Sequence, residues 1–274
     1  MDALGYLAEQ GTLLEPYLEA ALPRASEEPA ALHAAMRHLL FPGGKRLRPG
    51  LCFAACEAVG AAAARALAAA AAVELVHTYS LVHDDLPCMD DDAERRGRPT
   101  VHVAYGEAVA VLAGDALLAL AFELLARAGD AAAVAELAQA AGSRELVGGQ
   151  ALDLAFGADR PADAGAIEAI HRKKSAALIA ASVGLGARLG GADAALHARL
   201  VAFGLELGLA FQIADDLLDA DDDGACSLVR ALGGPVARAR ADALLSGALE
   251  RVADLGARAE PLRELARYAV RRDR

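Results

Sequence analysis

The sequence predicts a protein that is almost entirely α-helical, and its composition and its breaks support this prediction. Alanine and leucine are frequent among the 274 residues, and tryptophan is absent. Stretches such as "GAAAARALAAAAAVELV" and "AFELLARAGDAAAVAELAQAAG" combine high helix propensity with helical spacing of the apolar residues. The breaks between such stretches are glycine pairs, prolines and short polar segments: "LFPGGK", "ARAGDA", "GADRPAD", "RLGGAD" and "LGGPVA".

These breaks divide the chain into roughly ten helices with short connections. No break is long enough to serve as an interdomain linker. Residues 1–274 are therefore expected to form a single domain, and one large helical domain of this length is ordinary.

Net charge and the first residues of the chain argue against several classes of protein. The formal net charge of −11 does not fit a general nucleic-acid binder, which needs a basic surface. The first twenty residues carry Asp2 and Glu9 and no basic start, unlike a signal peptide. The Ala-rich run before Glu74 contains Arg65, and alanine is weakly apolar, so no membrane span is expected. We expect a soluble cytoplasmic protein with reduced cysteines, since no CxxC or zinc spacing occurs among Cys52, Cys56, Cys88 and Cys226.

A first acidic cluster occupies residues 81–100, "LVHDDLPCMDDDAERRGRPT", in which five aspartates and a glutamate adjoin three arginines. A charge run is most often a solvated loop. This one ends the apolar, helix-period stretch "AAAVELVHTYSLVH", so the acids lie where a buried helix meets a cavity or solvent. That position favours a functional role.

A second acidic cluster, "FQIADDLLDADDDG", occupies residues 211–224. In a helix Asp215 and Asp219 project about 40° apart, while Asp216 turns away by about 100°. Like charges so placed repel unless a cation lies between them, and hard oxygen ligands suit Mg²⁺. A calcium EF-hand loop starting at Asp219 fails, because its twelfth position is Arg230 instead of glutamate.

Two basic segments complement the acids. "FPGGKRLRPG" contains Lys45, Arg46 and Arg48, and "IHRKKSAALIAA" contains Lys173 and Lys174 at the start of an apolar helix. The first is not a Walker loop, because Lys45 lacks a following Ser or Thr and the earlier glycine. Mg²⁺ completes its shell with one or two carboxylates and substrate phosphates, so acidic walls and basic groups together fit a diphosphate-processing cavity.

Six motifs in order resemble the trans-isoprenyl diphosphate synthase family, most closely its bacterial farnesyl diphosphate synthases. They are "GGKRLRP", "HTYSLVHDDLPCMDDDAERRGRPT", "AGDALL", "GGQALDL", "HRKKSAALIAA" and "GLAFQIADDLLD", and they cover nearly the whole chain. The resemblance implies an antiparallel helix bundle around a deep central cavity, the isoprenoid synthase fold, in a homodimer. It also implies condensation of isopentenyl diphosphate with dimethylallyl or geranyl diphosphate.

The resemblance assigns roles to individual residues. Three Mg²⁺ ions per site, with Mn²⁺ as an alternative, would be held by Asp84, Asp90 and Asp215, with Asp85 and Asp219 in support. The allylic diphosphate would be bound by Arg95, Lys174, Ser175 and Gln212, and ionised there. Isopentenyl diphosphate would be held by Gly44, Lys45, Arg48, His77 and Arg96. On its own, His77 in an apolar helix would be read as a core histidine; Gln150 and Asp153 match the family without a defined role.

Product length is expected to depend on the residues five and four positions before the first motif, Tyr79 and Ser80. Five residues of helix span about 7.5 Å, a little over one five-carbon unit. Tyrosine at the fifth position resembles the bacterial C15 pattern, so farnesyl diphosphate is the expected product. The alternatives are a geranylgeranyl or other short-chain diphosphate synthase and a low-activity or inactive partner subunit of a prenyl synthase.

One departure from the family follows the second motif. Family members usually carry a longer polar loop with Gly-Lys there, whereas Ala225 stands in place of the second lysine. This shortening motivates the inactive-partner alternative, and the two intact aspartate motifs count against it. A terpene cyclase is disfavoured because the second motif reads "DDLLD" and "GGKRLRP" is present.

Overall fold

The computed structural model describes residues 2–156, 163–218 and 226–271. Within these ranges the chain is helical apart from turns and one antiparallel hairpin, Glu94–Arg95 with Arg98–Pro99. The all-α prediction is therefore confirmed. The helices are α1 (Ala3–Ala21), α2 (Ala30–His38), α3 (Leu47–Ala58), α4 (Leu67–Asp84), α5 (Val101–Tyr105), α6 (Glu107–Arg127), α7 (Ala131–Ala141), α8 (Leu146–Leu154), α9 (Ala164–His171), α10 (Ala177–Gly190), α11 (Ala194–Leu218), α12 (Leu228–Leu232), α13 (Gly234–Arg251) and α14 (Glu260–Arg271).

The described ranges contain more helices than the roughly ten that the sequence breaks predict. Helices α5 and α12 are five residues long, too short to show an apolar period of their own. Several predicted breaks do end helices: α10 stops at Gly190, and Gly191 follows with φ of 92°, a left-handed conformation that glycine adopts without strain. The small hairpin escapes the sequence reading because its strands are two residues long.

Small residues allow the central helices to approach closely. Helix α4 packs against α3, α6 and α10, and its run Ala69–Ala72 is completely buried. A Cβ at Gly186 of α10 would lie 2.0 Å from the carbonyl oxygen of Cys52 in α3. A Cβ at Gly208 of α11 would lie 2.5 Å from Cα of Ala176. The alanine and glycine of the sequence are therefore interhelical contact residues, consistent with dense packing of the core.

Three structural features converge on one end of the bundle. Helix α4 ends at Asp84, and α11 carries Asp215 three residues before its end. A five-residue π-helical turn, Arg172–Ala176, joins α9 to α10 and packs against α8 and α11. Such π-helical turns are rare and concentrate at functional sites.

By length and composition alone, three described segments are apolar enough to cross a membrane: Ala63–Asp84, Glu107–Arg127 and Ala194–Leu218. All three are helical segments of the bundle, and 67% of the most apolar window in the first is buried within the protein.

Candidate active site

The first acidic cluster folds back on itself at the end of α4. The backbone N–H of Asp90 donates to the carbonyl oxygen of Asp84 at 2.9 Å, so the turn through Pro87 brings the two aspartates together. Helical spacing alone does not give this pairing. Burial raises the pKa of Asp84 to about 6 and that of Asp90 above its ordinary value; in both, the neighbouring Lys174 acts against burial.

Asp85 anchors an arginine. It is fully buried, and its Oδ1 accepts from Nε of Arg95 at 2.5 Å. Nη2 of Arg95 donates to Asp92 at 2.7 Å, so two carboxylates orient this guanidinium. The second oxygen of Asp85 is buried without a hydrogen-bond partner. Resemblance placed Asp85 beside the metal, and the structure adds its ion pair with Arg95.

Lys174 lies on the π-helical turn beside the first cluster. Its Nζ donates to Oδ2 of Asp153 at 2.6 Å. Burial lowers its pKa, but the contact with Asp153 and the charges of Asp84 and Asp90 outweigh burial, and the net shift is upward. Lys174 therefore remains charged, and the turn can present a cation to an anionic substrate. A Cβ at Gly149 of α8 would lie 2.3 Å from the backbone nitrogen of Lys174, which explains a glycine at this contact.

A chain of hydrogen bonds connects the π-helical turn with the second acidic cluster. Ser175 donates to Oε1 of Gln212 at 2.6 Å, and Nε2 of Gln212 donates to Asp216 at 3.3 Å. Asp216 also accepts the backbone N–H of Leu228 at 2.8 Å, which fixes the start of α12. Asp215 is partly buried on the same helix end. Asp219, Gly224 and Ala225 lie outside the described residues.

A basic cavity of about 480 Å³ adjoins this cluster. Of the predicted isopentenyl diphosphate ligands, all five line it: Gly44, Lys45, Arg48, His77 and Arg96. Burial, followed by the charges of the surrounding arginines, holds the pKa of His77 well below its ordinary value, so the imidazole is neutral at pH 7. Nζ of Lys45 lies 5.7 Å from the ring centre of Tyr268 in α14.

A second, more enclosed cavity of about 130 Å³ shares Arg48 and His77 with the basic cavity. Asp84, Lys174 and Ser175 lie at its polar side. Its remaining lining residues are Ser80, Leu81, Leu146, Gln150 and Leu178. The two cavities therefore meet at a common wall formed by Arg48 and His77.

The two residues expected to limit product length occupy different environments. Ser80 lines the enclosed cavity, whereas Tyr79 packs edge to face on His83, with ring centres 5.8 Å apart. Burial raises the pKa of Tyr79 to about 12, and its hydroxyl has no hydrogen-bond partner in the described structure. His83 in turn lies against Gly114 of α6.

Comparison with known proteins gives the family. The sequence model of the polyprenyl synthetase family matches residues 29–227. The chain belongs to this family. It is 39% identical to the crystal structure of an FPP/GFPP synthase from Zymomonas mobilis, with a TM-score of 0.89 and coverage of 98% of this chain and 99% of that one.

Curated relatives of the polyprenyl synthetase family point in the same direction. The chain is 48% identical to the heterodimeric geranylgeranyl pyrophosphate synthase large subunit 1 of Arabidopsis thaliana, over 80% of this chain and 61% of that relative. It is 40% identical to geranylgeranyl pyrophosphate synthase 7 of the same plant, over 99% of this chain and 84% of that relative. The match thus spans about three fifths of the length of the first relative.

The polyprenyl synthetase site has a donor set that fits Mg²⁺. Among the described residues there is no preassembled group of three or more His, Cys, Asp or Glu ligands. Asp84 and Asp90 are drawn together by the backbone, and the unsatisfied Oδ2 of buried Asp85 lies in the same segment. Hard carboxylate oxygens in small number suit Mg²⁺, which takes its remaining ligands from water and substrate phosphates.

Several residues of the site have no strong signal in the sequence. Glu74 lies in the wall of the basic cavity, and Asp92 orients Arg95. Leu146 and Leu178 line the enclosed cavity although they are distant in sequence from the aspartate motifs. Glu74 alone could have been found, because it is a lone acid one helical turn before His77 in an apolar helix.

Proposed function

We propose that this chain is a Mg²⁺-dependent trans-prenyl diphosphate synthase, which joins isopentenyl diphosphate to an allylic diphosphate. The observation that carries the proposal is the pair of cavities with a common wall at Arg48 and His77. A condensation needs two diphosphates side by side, whereas a cyclase needs one. The named relatives, which are prenyl diphosphate synthases, support the same reaction class.

The allylic substrate would place its diphosphate near Lys174 and Arg95, with its hydrocarbon chain in the enclosed cavity. When its carbon–oxygen bond breaks, the electron pair leaves with the diphosphate and an allylic cation remains. Both basic side chains are held by carboxylates, Asp153 for Lys174 and Asp85 for Arg95, so they need little reorganisation as the negative charge grows. Mg²⁺, when bound by the aspartates, supplies further electrostatic stabilisation of that charge.

The cation must be protected from water until carbon–carbon bond formation. Leu81, Leu146 and Leu178 provide apolar walls in the enclosed cavity. Isopentenyl diphosphate, bound by Lys45, Arg48 and Arg96, would present its alkene across the common wall. The new carbon–carbon bond forms, and a proton leaves from the carbon adjacent to the new cation to the released diphosphate.

For product length we propose farnesyl diphosphate. This proposal is supported by Tyr79, a bulky buried side chain five residues before Asp84, because a large ring at that position shortens the space for the hydrocarbon chain. The name of the structural relative, FPP/GFPP synthase, includes farnesyl diphosphate. The names of the curated relatives support geranylgeranyl diphosphate as the second candidate.

The test is an incubation with isopentenyl diphosphate, Mg²⁺ and either dimethylallyl or geranyl diphosphate, with products resolved by chain length. We expect C15. A C20 product would support the second candidate, and no product from any starter would contradict the condensation and favour the partner-subunit alternative.

The variant Tyr79→Ala tests the residue expected to stop the chain. If the tyrosine ring limits the cavity, directly or by holding His83, its removal should lengthen the product by at least one five-carbon unit. Tyr79→Phe keeps the ring and should keep the wild-type product. An unchanged C15 product from Tyr79→Ala would contradict the role of Tyr79.

A further inference from the structure

Arg46 is the middle cation of the basic segment and lines the basic cavity with its neighbours, but its guanidinium is bonded to groups of the protein itself. It is 7% exposed. Its Nη1 donates to Glu74 at 2.6 Å and its Nε to Glu15 at 2.8 Å. Its Nη2 donates to Glu15 at 3.3 Å and to the carbonyl oxygen of Leu40 at 2.6 Å. These four bonds engage four of the five N–H donors of a guanidinium.

The backbone of Arg46 is also unusual. Its φ is 54°, in the left-handed region that a residue with a Cβ adopts only when its surroundings compensate. The residue is the N-cap of α3, so this conformation sets the direction of the helix that follows. Lys45 precedes it and Arg48 lies in the first turn of α3. The side-chain bonds of Arg46 therefore fix the geometry of two residues that line the basic cavity.

The backbone carbonyl groups of residues 38–41, at the C-terminal end of α2, accept hydrogen bonds from three arginine side chains. Arg98 donates to His38 and Phe41, Arg96 to Leu39, and Arg46 to Leu40. A helix C-terminus leaves carbonyl oxygens unpaired and carries partial negative charge, which suits guanidinium groups. The C-terminal end of α2 therefore holds Arg46 and Arg96 in place in the wall of the basic cavity before any ligand binds.

Glu74 has the opposite sign from what an anion-binding cavity requires. It is 2% exposed. Among the described residues that line the 480 Å³ cavity, Glu74 is the only one with a carboxylate. By charge alone it would weaken the binding of a diphosphate. Its position is explained if it orients Arg46.

We propose that Arg46 and Glu74 form a positioning pair for the isopentenyl diphosphate site, in which Arg46 does not contact the diphosphate and instead fixes the turn that presents Lys45 and Arg48. This inference rests on the proposed function, since it takes the ligand of the basic cavity to be a diphosphate. It also explains Gly43, because a Cβ there would lie 2.1 Å from the guanidinium carbon of Arg46; a Cβ at the neighbouring Gly44 would lie 2.6 Å from Nη2 of Arg96.

The variant Glu74→Gln distinguishes a positioning role of Glu74 from a direct electrostatic role, because the two roles predict opposite changes in the affinity for the diphosphate. Loss of a carboxylate makes the cavity more positive, so a direct electrostatic role for Glu74, with Arg46 as a ligand, predicts tighter anion binding. A positioning role predicts weaker binding, because Arg46 loses the negative charge of its buried partner, the neutral amide holds the guanidinium less strongly, and the turn loosens. We expect KM for isopentenyl diphosphate to rise about tenfold while KM for the allylic diphosphate changes less than about twofold.

Two further variants guard against misfolding. The double variant Arg46→Met with Glu74→Met removes both charges of the buried pair, a change that cores often tolerate better than removal of one partner. It should retain a cooperative thermal transition and show the same rise in KM for isopentenyl diphosphate. Glu136→Gln removes one carboxylate from an ion pair with Arg188 outside the site and should leave both KM values unchanged.

Calorimetric titration of the metal-free protein with isopentenyl diphosphate, and separately with inorganic diphosphate, completes the test. Wild type should bind both, and Glu74→Gln should bind both more weakly. Equal or tighter binding by Glu74→Gln, or no binding by wild type, would overturn the positioning pair. If wild type binds but turns over no allylic starter, the proposed condensation fails while weaker binding by the variant still supports the pair.

Discussion

At the scale of single residues, the active-site acids are held in an environment that opposes their charge. Burial, opposed by Lys174 and reinforced by Asp90, raises the pKa of Asp84 from 3.8 to about 6. The folded protein without metal therefore holds the proton of this carboxyl more tightly than the unfolded chain does. A raised folded-state pKa contributes stability that is present below the unfolded value and is lost as pH rises through about 6. Bound cations would reverse this preference.

The first prediction follows from the upward shift of the Asp84 pKa. In the presence of a chelator, Asp84→Asn should raise the free energy of unfolding at pH 7 by on the order of 2 kcal/mol, because a neutral side chain replaces a half-buried charge. The gain should disappear near pH 4, where the wild-type carboxyl is itself protonated. Turnover should fall by orders of magnitude, since the expected metal ligand is lost.

Thermal unfolding of both proteins across this pH range measures the difference, and the titrating groups that do not interact with Asp84 cancel. Asp242→Asn, at an exposed aspartate of α13, is the control and should leave Tm unchanged. A destabilised Asp84→Asn at pH 7 without metal would contradict this account of the site.

At the scale of elements, the π-helical turn Arg172–Ala176 depends on glycine at its contacts with other helices. Gly149 of α8 approaches the backbone of Lys174, and Gly208 of α11 approaches Ala176. Both contacts involve backbone or Cβ atoms that cannot rotate away, so a methyl group there must displace a helix. The turn carries Lys174 and Ser175, and displacement would move both from Asp153 and Gln212.

The second prediction is that Gly149→Ala lowers both stability and turnover. Overpacking of this kind costs about 1–3 kcal/mol, and misplacement of Lys174 should lower kcat by at least about tenfold. Gly11→Ala is the matched control, since a Cβ at Gly11 of α1 meets nothing within 4 Å. The control should gain up to about 1 kcal/mol from helix propensity. If Gly149→Ala has the kcat and Tm of the wild type, the prediction is wrong, because α8 can then move to accommodate the methyl group without displacing Lys174.

At the scale of the whole molecule, α6 leaves apolar side chains at the surface. Val111 is 41% exposed and Leu112 is 55% exposed, and Val103 of the neighbouring α5 is 53% exposed. Contiguous exposed apolar residues commonly mark a surface that associates with another protein. We expect this face to lie in the homodimer that the family resemblance implies, with the same patch on both subunits.

The third prediction tests this assembly. Wild type should have twice the chain mass by light scattering at micromolar concentration, and Leu112→Glu should shift the mass towards that of one chain. Leu13→Glu alters a comparably exposed leucine of α1, 42% exposed, and should leave the mass unchanged. A monomeric wild type, or a dimer insensitive to Leu112→Glu, would contradict the assignment of this surface.

The sequence alone determined the helical class and the chemical character of the site. Helix propensity and apolar periodicity are local properties, so they are visible in stretches such as residues 67–84 without any partner. The ordered motifs identified the family, and they contain the charged residues that line the two cavities apart from Glu74. The sequence spacing of Asp84 and Asp90 could not predict that the two aspartates lie together, because Pro87 prevents a continuous helix between them.

Only the tertiary structure decided which charged residues pair with one another. Arg46 and Lys45 are neighbours in one basic motif and both line the basic cavity, yet Arg46 pairs with Glu15 and Glu74 from two other helices, while Lys45 lies over the ring of Tyr268. In the same way Lys174 is oriented by Asp153, and the enclosed cavity is bounded by leucines from α4, α8 and α10. Such contacts join residues distant in sequence, and their energy depends on burial and orientation, which no local pattern encodes.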